Sequence, residues 1–216
     1  NLSYKYPGKK DFTLKDININ LDKGNTVVIT GSTGSGKTTL MNLMLGLLKP
    51  SEGNIFYYGE NIYSLSRIWS NHISYVSQSC YLMDTSIKNN ITFNFAQEKI
   101  DSEKLEKAIN LSNLDKFVDS LPQRANTQVG NDGIKISGGE RQRIAIARAI
   151  YKNSDTIFMD EFSSALDAET EELIFKNLSK EFKQKTLITI SHRENIIKNS
   201  DVILNMFKGN LEKKSN

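Results

Sequence analysis

Cysteine and histidine are almost missing from this sequence. Cys80 is the single thiol, and 216 residues include only two histidines. One cysteine cannot form an intrachain disulfide, and one cysteine with two histidines provides no metal-finger spacing. The sequence therefore excludes a disulfide framework and a Cys/His finger as sources of stability.

A long hydrophobic run is missing as well. The longest apolar stretch, from Leu40 to Leu48, contains Asn42 and is about half the length that a membrane helix needs. The mean hydropathy is −0.43. We therefore predict no membrane span within the chain. It begins at Asn1, without an initiator Met or a signal segment, so we expect a piece of a longer polypeptide.

Strong charge of one sign is also absent. The formal net charge is +3, and the basic residues are spread along the chain, so we expect no nucleic-acid partner. Apolar residues make up 38% and charged residues 25%, which is enough to bury a core and not biased enough for disorder. The length predicts one domain with room for an inserted subdomain.

Strand-like and helix-like segments alternate along the chain. Apolar runs predict strands at Val27–Ile29, Ile55–Gly59, Ile73–Val76, Thr156–Met159 and Leu187–Ile190, and the alternating stretch Phe12–Leu21 predicts an antiparallel strand. Helices are predicted at Thr39–Leu48, before Pro50, within 84–121, and at Gly139–Tyr151. This order predicts a mostly parallel α/β core with a helical insertion between Gln78 and Tyr151.

A glycine-rich loop lies between the strand at Val27–Ile29 and the helix that follows. The G-x-x-x-x-G-K-[ST] motif consists of Gly31, Ser32, Thr33, Gly34, Ser35, Gly36, Lys37 and Thr38, and Thr39 follows it. Such a loop turns its backbone N–H groups toward phosphate oxygens at the positive end of the helix. Lys37 can reach the β- and γ-phosphates, and the Thr38 hydroxyl can ligate Mg²⁺. We therefore predict a nucleotide-phosphate site.

Two acids end the strand at Thr156–Met159. Ligands of open α/β sheets bind at the carboxyl ends of the strands, where Asp160 is placed to hold Mg²⁺. Glu161, beside it, can orient or deprotonate an attacking water. Strands often end in acids, and the glycine-rich loop is what favours the functional interpretation here.

A second anion site is predicted at the start of the helix Gly139–Tyr151. Ser137, Gly138 and Gly139 combine a hydroxyl with bare backbone N–H groups at a helix N-terminus. The alternative is an ordinary serine N-cap followed by flexible glycines. One chain does not need two phosphate cradles for one nucleotide.

The order of these motifs resembles the nucleotide-binding domain of ATP-binding-cassette (ABC) transporters over nearly the whole chain. The family's signature Leu-Ser-Gly-Gly-Gln appears as Ile136 to Glu140, and Thr127–Gly130 resembles a segment typical of exporters. The resemblance implies that Gln78 is the glutamine-loop residue, that Ser164–Asp167 is the D-loop, with Asp167 at the nucleotide, and that His192 is the switch histidine. It also implies that Tyr6 stacks on adenine.

Three positions depart from the family pattern. Glu140 replaces the usual glutamine, Asn131-Asp132 stands where exporters often carry Glu-Arg, and Phe162-Ser163 follows the second acid where Ala-Thr or Pro-Thr is common. None of these changes removes a phosphate, metal or base residue. We therefore predict a competent ATPase with Glu161, His192, Gln78 and Lys37 as catalytic residues and Thr38, Gln78 and Asp160 at Mg²⁺.

The resemblance implies a P-loop NTPase core with an N-terminal antiparallel β subdomain and an inserted α-helical subdomain. We expect one domain over 1–216, in which 1–78 and 152–216 form the core and 79–151 the helical part. Two such domains would bind two ATP head-to-tail, with Ser137, Gly138 and Gly139 on the partner's nucleotide. The expected setting is the cytoplasmic face of the cell membrane, with transmembrane domains fused upstream.

Two other functions compete with the exporter motor. A soluble ABC-type ATPase of the chromosome type would need a long coiled coil, and the stretch between Gln78 and Ser137 has no heptads. A translation-type member would need two cassettes and basic linkers. A plain P-loop kinase or GTPase would leave the Ser-Gly-Gly helix and His192 unexplained. The sequence therefore favours an exporter, and its cargo stays open.

Overall fold

A computed structural model of the chain describes residues 1–65, 67–94, 99–130 and 134–215. The strands are β1 (Leu2–Tyr4), β2 (Leu14–Ile17), β3 (Thr26–Gly31), β4 (Phe56–Tyr57), β5 (Glu60–Asn61), β6 (Ile73–Val76), β7 (Thr85–Ser86), β8 (Gln128–Val129), β9 (Thr156–Asp160), β10 (Thr186–Ile190), β11 (Val202–Phe207) and β12 (Asn210–Ser215). The helices are α1 (Lys37–Met44), α2 (Ile62–Leu65), α3 (Arg67–His72), α4 (Ile87–Thr92), α5 (Ser102–Leu111), α6 (Asp115–Asp119), α7 (Gly138–Lys152), α8 (Ala168–Glu181) and α9 (Glu194–Lys198). Asn131 and Asp132, one of the departures above, lie outside the described residues.

The chain divides into two compact units. The first unit consists of Asn1–Ser74, Asp155–Asp160 and Phe182–Asn216, and the second of Tyr75–Ser154 and Glu161–Glu181. The segment 79–151, predicted as the helical subdomain, falls within the second unit. That unit also includes Glu161–Glu181, and the division of the chain into functional subdomains stays a prediction.

A six-stranded sheet forms the centre of the first unit. Its strand order is β12–β11–β3–β10–β9–β6, and the edge strand β6 begins in this unit. Strand β3 pairs in parallel with both β10 and β11, β9 is parallel to β10, and β12 is antiparallel to β11. Strands covered on both faces have continuous apolar sequences, and Val27, Val28 and Ile29 are fully buried. The predicted mostly parallel α/β class is confirmed.

The antiparallel strand predicted at Phe12–Leu21 is shorter in the structure. Strand β2 spans Leu14–Ile17 and pairs antiparallel with β1, Leu2 opposite Ile17 and Tyr4 opposite Leu14, with a shift of register between these pairs. Asp16 has a φ of +46°. This left-handed residue interrupts the alternation, so two exposed residues separate the buried Leu14 and Ile17.

Helix α1 covers Lys37–Met44, where the sequence predicts Thr39–Leu48. The helix begins directly after Gly36, its N-cap residue. It ends before Leu45, whose N–H still bonds to the Met41 carbonyl, and before Gly46, which has a φ of +77°. Gly46 therefore ends the helix before Pro50 is reached.

Helix α7 is the longest element of the second unit, and α4 and α5 pack against it. The sequence predicts helical spacing across 84–121, and the structure has α4, α5 and α6 there. The breaks have local causes: Phe93 ends α4 with a φ of 50°, and the Asp101 side chain caps α5 by accepting from Lys104 N. None of the helices within the described ranges is long and apolar enough to cross a membrane.

The only cysteine of the sequence is buried beside α7. Cys80 has 8% of its surface exposed, and a guanidinium nitrogen of Arg148 lies 3.9 Å from its sulfur. Arg148 Nε also donates to the Asn90 carbonyl at 2.8 Å, which ties α7 to α4. Burial raises the pKa of the Cys80 thiol, although the nearby Arg148 opposes this shift. The thiol is therefore protected from solvent and protonated at neutral pH.

Candidate functional site: a phosphate loop, two acids and a second glycine-rich helix start

The glycine-rich loop leaves β3 at a point where only glycine fits. Gly31 has a φ of +136°, and a Cβ there would lie 2.1 Å from the Met206 carbonyl oxygen on β11. Gly36 has a φ of +106°, and its Cβ would lie 2.6 Å from Leu14 Cδ2. Any side chain at these positions would force the strand or the core to move. The two outer glycines of the motif therefore fix the path of the loop.

The start of α1 has no side-chain cap. Its N-cap residue is Gly36, and the amide groups of the first helical turn have no acceptor within the helix. Lys37 is 8% exposed, and its Nζ donates to the carbonyls of Gly31 at 2.7 Å and Ser32 at 2.9 Å. The ammonium group is therefore held over the loop, beside exposed Ser32 and Thr33. This arrangement suits a phosphate, which takes N–H groups and a cation together.

Asp160 and His192 lie at the same sheet edge as the loop. In the parallel ladders, Ile190 is opposite both Ile29 and Asp160, so β3, β9 and β10 end at one level. His192 follows β10 by two residues and is exposed, and the Ser191 N–H bonds to the Ile29 carbonyl at 3.3 Å. The first unit thus collects the loop, one acid and one imidazole at its carboxyl edge.

Tyr6 also contacts the helix that follows the loop. Its hydroxyl lies 3.2 Å from Thr39 Oγ1, and its ring makes an edge-to-face contact with Tyr4, with ring centroids 4.9 Å apart. Tyr6 is 37% exposed. A partly exposed aromatic ring anchored at both ends of its side chain can offer one face to a base.

In the second unit, α7 begins with a capping box. Ser137 Oγ accepts from Glu140 N at 3.2 Å, and Glu140 Oε2 accepts from Ser137 N at 2.8 Å. The serine N-cap, the alternative interpretation of this segment, is therefore present, and Glu140 completes it as a capping box. The Ser137 hydroxyl proton and the N–H groups of Gly138 and Gly139 are not used by this box. Capping and anion binding are thus compatible at this helix start.

The segment Ser164–Asp167, predicted as the D-loop, packs against the two glycines of that helix start. A Cβ on Gly138 would lie 3.4 Å from Ala165 Cβ, and one on Gly139 would lie 3.2 Å from the Ala165 carbonyl oxygen. Asp167 is exposed and uses Oδ1 to accept from Thr170 N at 2.9 Å, capping α8. This backbone hydrogen bond holds the pKa of Asp167 below its ordinary range. The structure brings Ala165 to Gly138 and Gly139, and the Asp167 carboxylate caps α8.

Gln78 and Glu161 meet directly within the second unit. Gln78 Nε2 donates to Glu161 Oε2 at 2.7 Å. Glu161 is half-buried and has a φ of +43°, a left-handed conformation that costs a non-glycine residue on the order of 1–3 kcal/mol. Backbone strain of this kind concentrates at functional sites. The bond shows that the amide and the carboxylate are within reach of one water molecule.

The described residues fit a metal ion whose ligands are mostly phosphate oxygens and waters, with few from the protein. They contain no group of three or more His, Cys, Asp or Glu side chains able to hold a metal. Mg²⁺ in nucleotide sites needs only one or two protein oxygens beside the phosphates and waters. The exposed Thr38 hydroxyl and the half-buried Asp160 carboxylate are oxygens of that kind in the first unit.

Two residues near the site were missed in the sequence. Glu140, treated above as a departure, is half of the capping box, and the Ser-x-x-Glu spacing before a helix would have revealed it. Gln142 is buried in α7, and its Nε2 donates to the Ser77 carbonyl at 3.2 Å. The sequence could have indicated it, because Gln142 is a polar residue on the same helical face as Ile146 and Ala149, which are both buried.

These features define a P-loop nucleotide-binding domain of the α/β class. The sequence profile of the family described as "ABC transporter" matches residues 14–164, well over half of the chain. The chain therefore belongs to the ABC transporter family, and it is an ATPase domain of that family.

Several proteins named as transporters resemble the chain over its whole length. An ATP-dependent lipid A-core flippase of Wigglesworthia glossinidia brevipalpis is 41% identical across 98% of the chain, and one of Haemophilus influenzae is 38% identical across 100%. ATP-binding cassette sub-family B member 5 of Homo sapiens is 36% identical across 99%. The alignments cover 36%, 37% and 17% of these relatives, so the chain spans about a third of the flippases.

A solved structure confirms the fold. The structure of a bacterial Atm1-family ABC exporter with ATP bound superposes with a TM-score of 0.90 and 31% sequence identity. The superposition covers 100% of this chain and 37% of the exporter chain. The predicted P-loop core, with its small antiparallel sheets and its helices, is the fold of that exporter's matching part.

Proposed function

We propose that this chain is the ATP-binding and ATP-hydrolysing motor of a membrane ABC exporter, and that it works as a head-to-tail dimer around two ATP. One observation carries the proposal: the chain has two glycine-rich helix starts suited to anions, at Gly36–Lys37 and at Ser137–Gly139. One nucleotide needs one phosphate cradle. The second start is therefore assigned to the ATP of a partner.

The first unit is proposed to bind the nucleotide. The triphosphate lies on Gly31, Ser32, Thr33, Gly34, Ser35, Gly36, Lys37, Thr38 and Thr39, with the Lys37 ammonium on the β- and γ-phosphates. Tyr6 stacks on the adenine, supported by its contact with Thr39 at 3.2 Å. Thr38 and Asp160 of this unit would hold Mg²⁺, which would neutralise phosphate charge.

Glu161 and Gln78 of the second unit are assigned to the hydrolysis step. Glu161 orients and deprotonates the attacking water, and Gln78 responds to the γ-phosphate. His192, which belongs to the first unit, is assigned a response to the γ-phosphate as well. The 2.7 Å bond from Gln78 Nε2 to Glu161 Oε2 supports this pairing, because both groups can reach one water. Loss of the γ-phosphate removes the contacts of Gln78 and His192 and reopens the dimer.

Ser137, Gly138 and Gly139 contact the γ-phosphate bound to the partner, and Asp167 lies at the same interface. The contact of Ala165 with the two glycines supports one continuous surface of signature and D-loop residues. The Ser137 hydroxyl accepts from Glu140 N and keeps its own proton to donate.

The relatives support the exporter setting. Flippases and exporters that match the chain are about three times its length, so we place this domain at the cytoplasmic face of the cell membrane, attached to transmembrane domains. The lipid A-core flippases favour an amphipathic lipid as cargo. Cargo contacts would lie on parts of the polypeptide outside these 216 residues.

Mixing two inactive variants tests the shared site. A dimer of one Lys37→Ala chain and one Ser137→Arg chain has one composite site with both defects and one with neither. Hydrolysis should therefore recover partly, with a maximum near equal amounts of the two variants. If Ser137 acted on the ATP of its own chain, every site would carry one defect.

Each variant alone serves as the inactive control. High protein concentration is required, because dimerisation depends on mass action. A flat baseline across all mixing ratios, under conditions in which the wild-type chain hydrolyses ATP, would refute the shared site.

A further inference from the structure

Gln142 is a buried amide inside the signature helix, and it holds the loop that carries Gln78. It lies five positions after Ser137 in the sequence and is 3% exposed. Its Nε2 donates to the carbonyl oxygen of Ser77 at 3.2 Å. A buried amide without a hydrogen bond destabilises the folded state, so loss of this contact would lower the free energy of unfolding.

The contact fixes the residue directly before Gln78. Ser77 is held a second time through its side chain, because Ser77 Oγ donates to the Ser79 carbonyl at 2.7 Å. Gln78 itself is exposed, and its amide reaches Glu161 Oε2 at 2.7 Å. A chain of contacts thus leads from α7 through Ser77 and Gln78 to Glu161.

We infer that Gln142 is a positioning residue, which orients Gln78 toward Glu161 by holding the Ser77 carbonyl. The inference rests on the proposed function, in which Gln78 and Glu161 act on the water and the γ-phosphate. Because Gln142 and Ser137 are on one helix, a displacement of the helix start is passed to the glutamine loop through the same bond. Gln142 touches no reacting atom and acts only through Gln78.

Gln142→Met tests this role, because it keeps the length of the side chain and removes the donor. Ile146→Met is the matched control: Ile146 lies one turn further along α7, is 1% exposed and carries no polar group. Loss of a neutral hydrogen bond predicts a kcat about two- to tenfold lower for Gln142→Met, with KM unchanged. Ile146→Met should leave kcat at the wild-type level.

A double-mutant cycle separates positioning from general loosening of the helix. In a Gln78→Ala background, Gln142→Met should change kcat by less than about 1.5-fold, because the group that it positions is gone. An equal loss in both backgrounds would show that Gln142 acts independently of Gln78 and would overturn the inference.

Hydrogen exchange gives a readout that needs no turnover. The amides of residues 77–79 should exchange faster in Gln142→Met than in the wild type or in Ile146→Met. Unchanged exchange there would also overturn the inference. Wild-type hydrolysis by Gln78→Ala would overturn the catalytic role proposed for Gln78. In that case, hydrogen exchange at residues 77–79 decides whether Gln142 positions the loop.

Discussion

Two helices of this chain begin at glycine-rich segments. The backbone N–H groups at one start have no side-chain acceptor, and those at the other start are capped by a side chain. Helix α1 begins after Gly36 with no side-chain cap, and Lys37 lies over the open loop. Helix α7 begins at Ser137 with a complete capping box, and Glu140 places a carboxylate in its first turn. The open start is suited to bind an anion by itself. The capped start offers fewer donors and a resident negative charge.

From this difference we expect the two helix starts to have different roles. In the proposed function, α1 and Lys37 of the first unit bind the triphosphate tightly. Helix α7 of the second unit would make a weaker phosphate contact, and Glu161 and Gln78 of that unit would act on water. Changes at the start of α1 should therefore lower affinity, and changes at Glu161 or Gln78 should lower turnover.

Glu161→Gln should give the largest effect. Removal of the base should lower kcat by about 10²- to 10⁴-fold, while ATP affinity is retained because the α1 start is untouched. A stable ATP-bound dimer should accumulate, visible by light scattering. Glu169→Gln, an exposed acid in the first turn of α8, is the control and should leave kcat unchanged. Wild-type hydrolysis by Glu161→Gln would remove Glu161 from the role of base.

Lys37→Ala should mainly weaken binding. A hydrogen bond from a charged donor contributes about 1.5–3 kcal/mol, so the dissociation constant for ATP should rise about 10- to 150-fold. Titration with a fluorescent ATP analogue measures this. Lys208→Ala removes an equal charge from an exposed turn of the same unit and should leave affinity unchanged. Unchanged affinity in Lys37→Ala would contradict the phosphate role of the loop.

Tyr6→Ala should weaken the binding of nucleotides and leave the binding of inorganic triphosphate unchanged. Stacking of a base on an aromatic ring contributes roughly 1–3 kcal/mol and does not depend on which base is bound. ATP and GTP affinities should therefore fall together, and inorganic triphosphate should bind as before. Tyr6→Phe keeps the ring and removes only the hydroxyl contact with Thr39, so its affinity should stay near the wild-type value. Normal ATP affinity in Tyr6→Ala would assign the stacking to another residue.

Glu140→Ala should have the smallest effect and should test the capped start directly. Loss of the box and of an acid at a helix N-terminus should lower the free energy of unfolding by about 0.5–1 kcal/mol. Glu140→Gln keeps an acceptor for Ser137 N and should lose less. Urea unfolding of the two variants measures the difference. Equal stability of Glu140→Ala and the wild type would mean that the box adds nothing.

Much of the fold followed from local sequence signals. Continuous apolar runs located β3, β6, β9 and β10, because strands buried on both faces tolerate few polar residues. The ends of elements were harder. Left-handed residues such as Asp16 and Phe93 interrupt β2 and end α4, and their sequence neighbours do not reveal a positive φ.

The candidate site also contains features that the sequence predicts and features that only the structure reveals. Lys37, Asp160 and the two glycine-rich segments were predicted because their chemistry is tied to a fixed spacing. The bond between Gln78 and Glu161 and the bond from Gln142 to Ser77 join residues 83 and 65 positions apart in the chain. Contacts of that range depend on tertiary packing. The predicted assignment of Gln78 came from family resemblance, and its partner came only from the structure.

The buried position of Cys80 has a practical consequence for measuring motion. With its only native thiol shielded from solvent, the protein can accept an engineered cysteine for dye labelling without prior removal of Cys80. Leu47 in the first unit is 67% exposed and Leu173 in the second is 43% exposed. A cysteine at either position would be the thiol that reacts with the dye, so each unit can be labelled and followed by itself during ATP turnover.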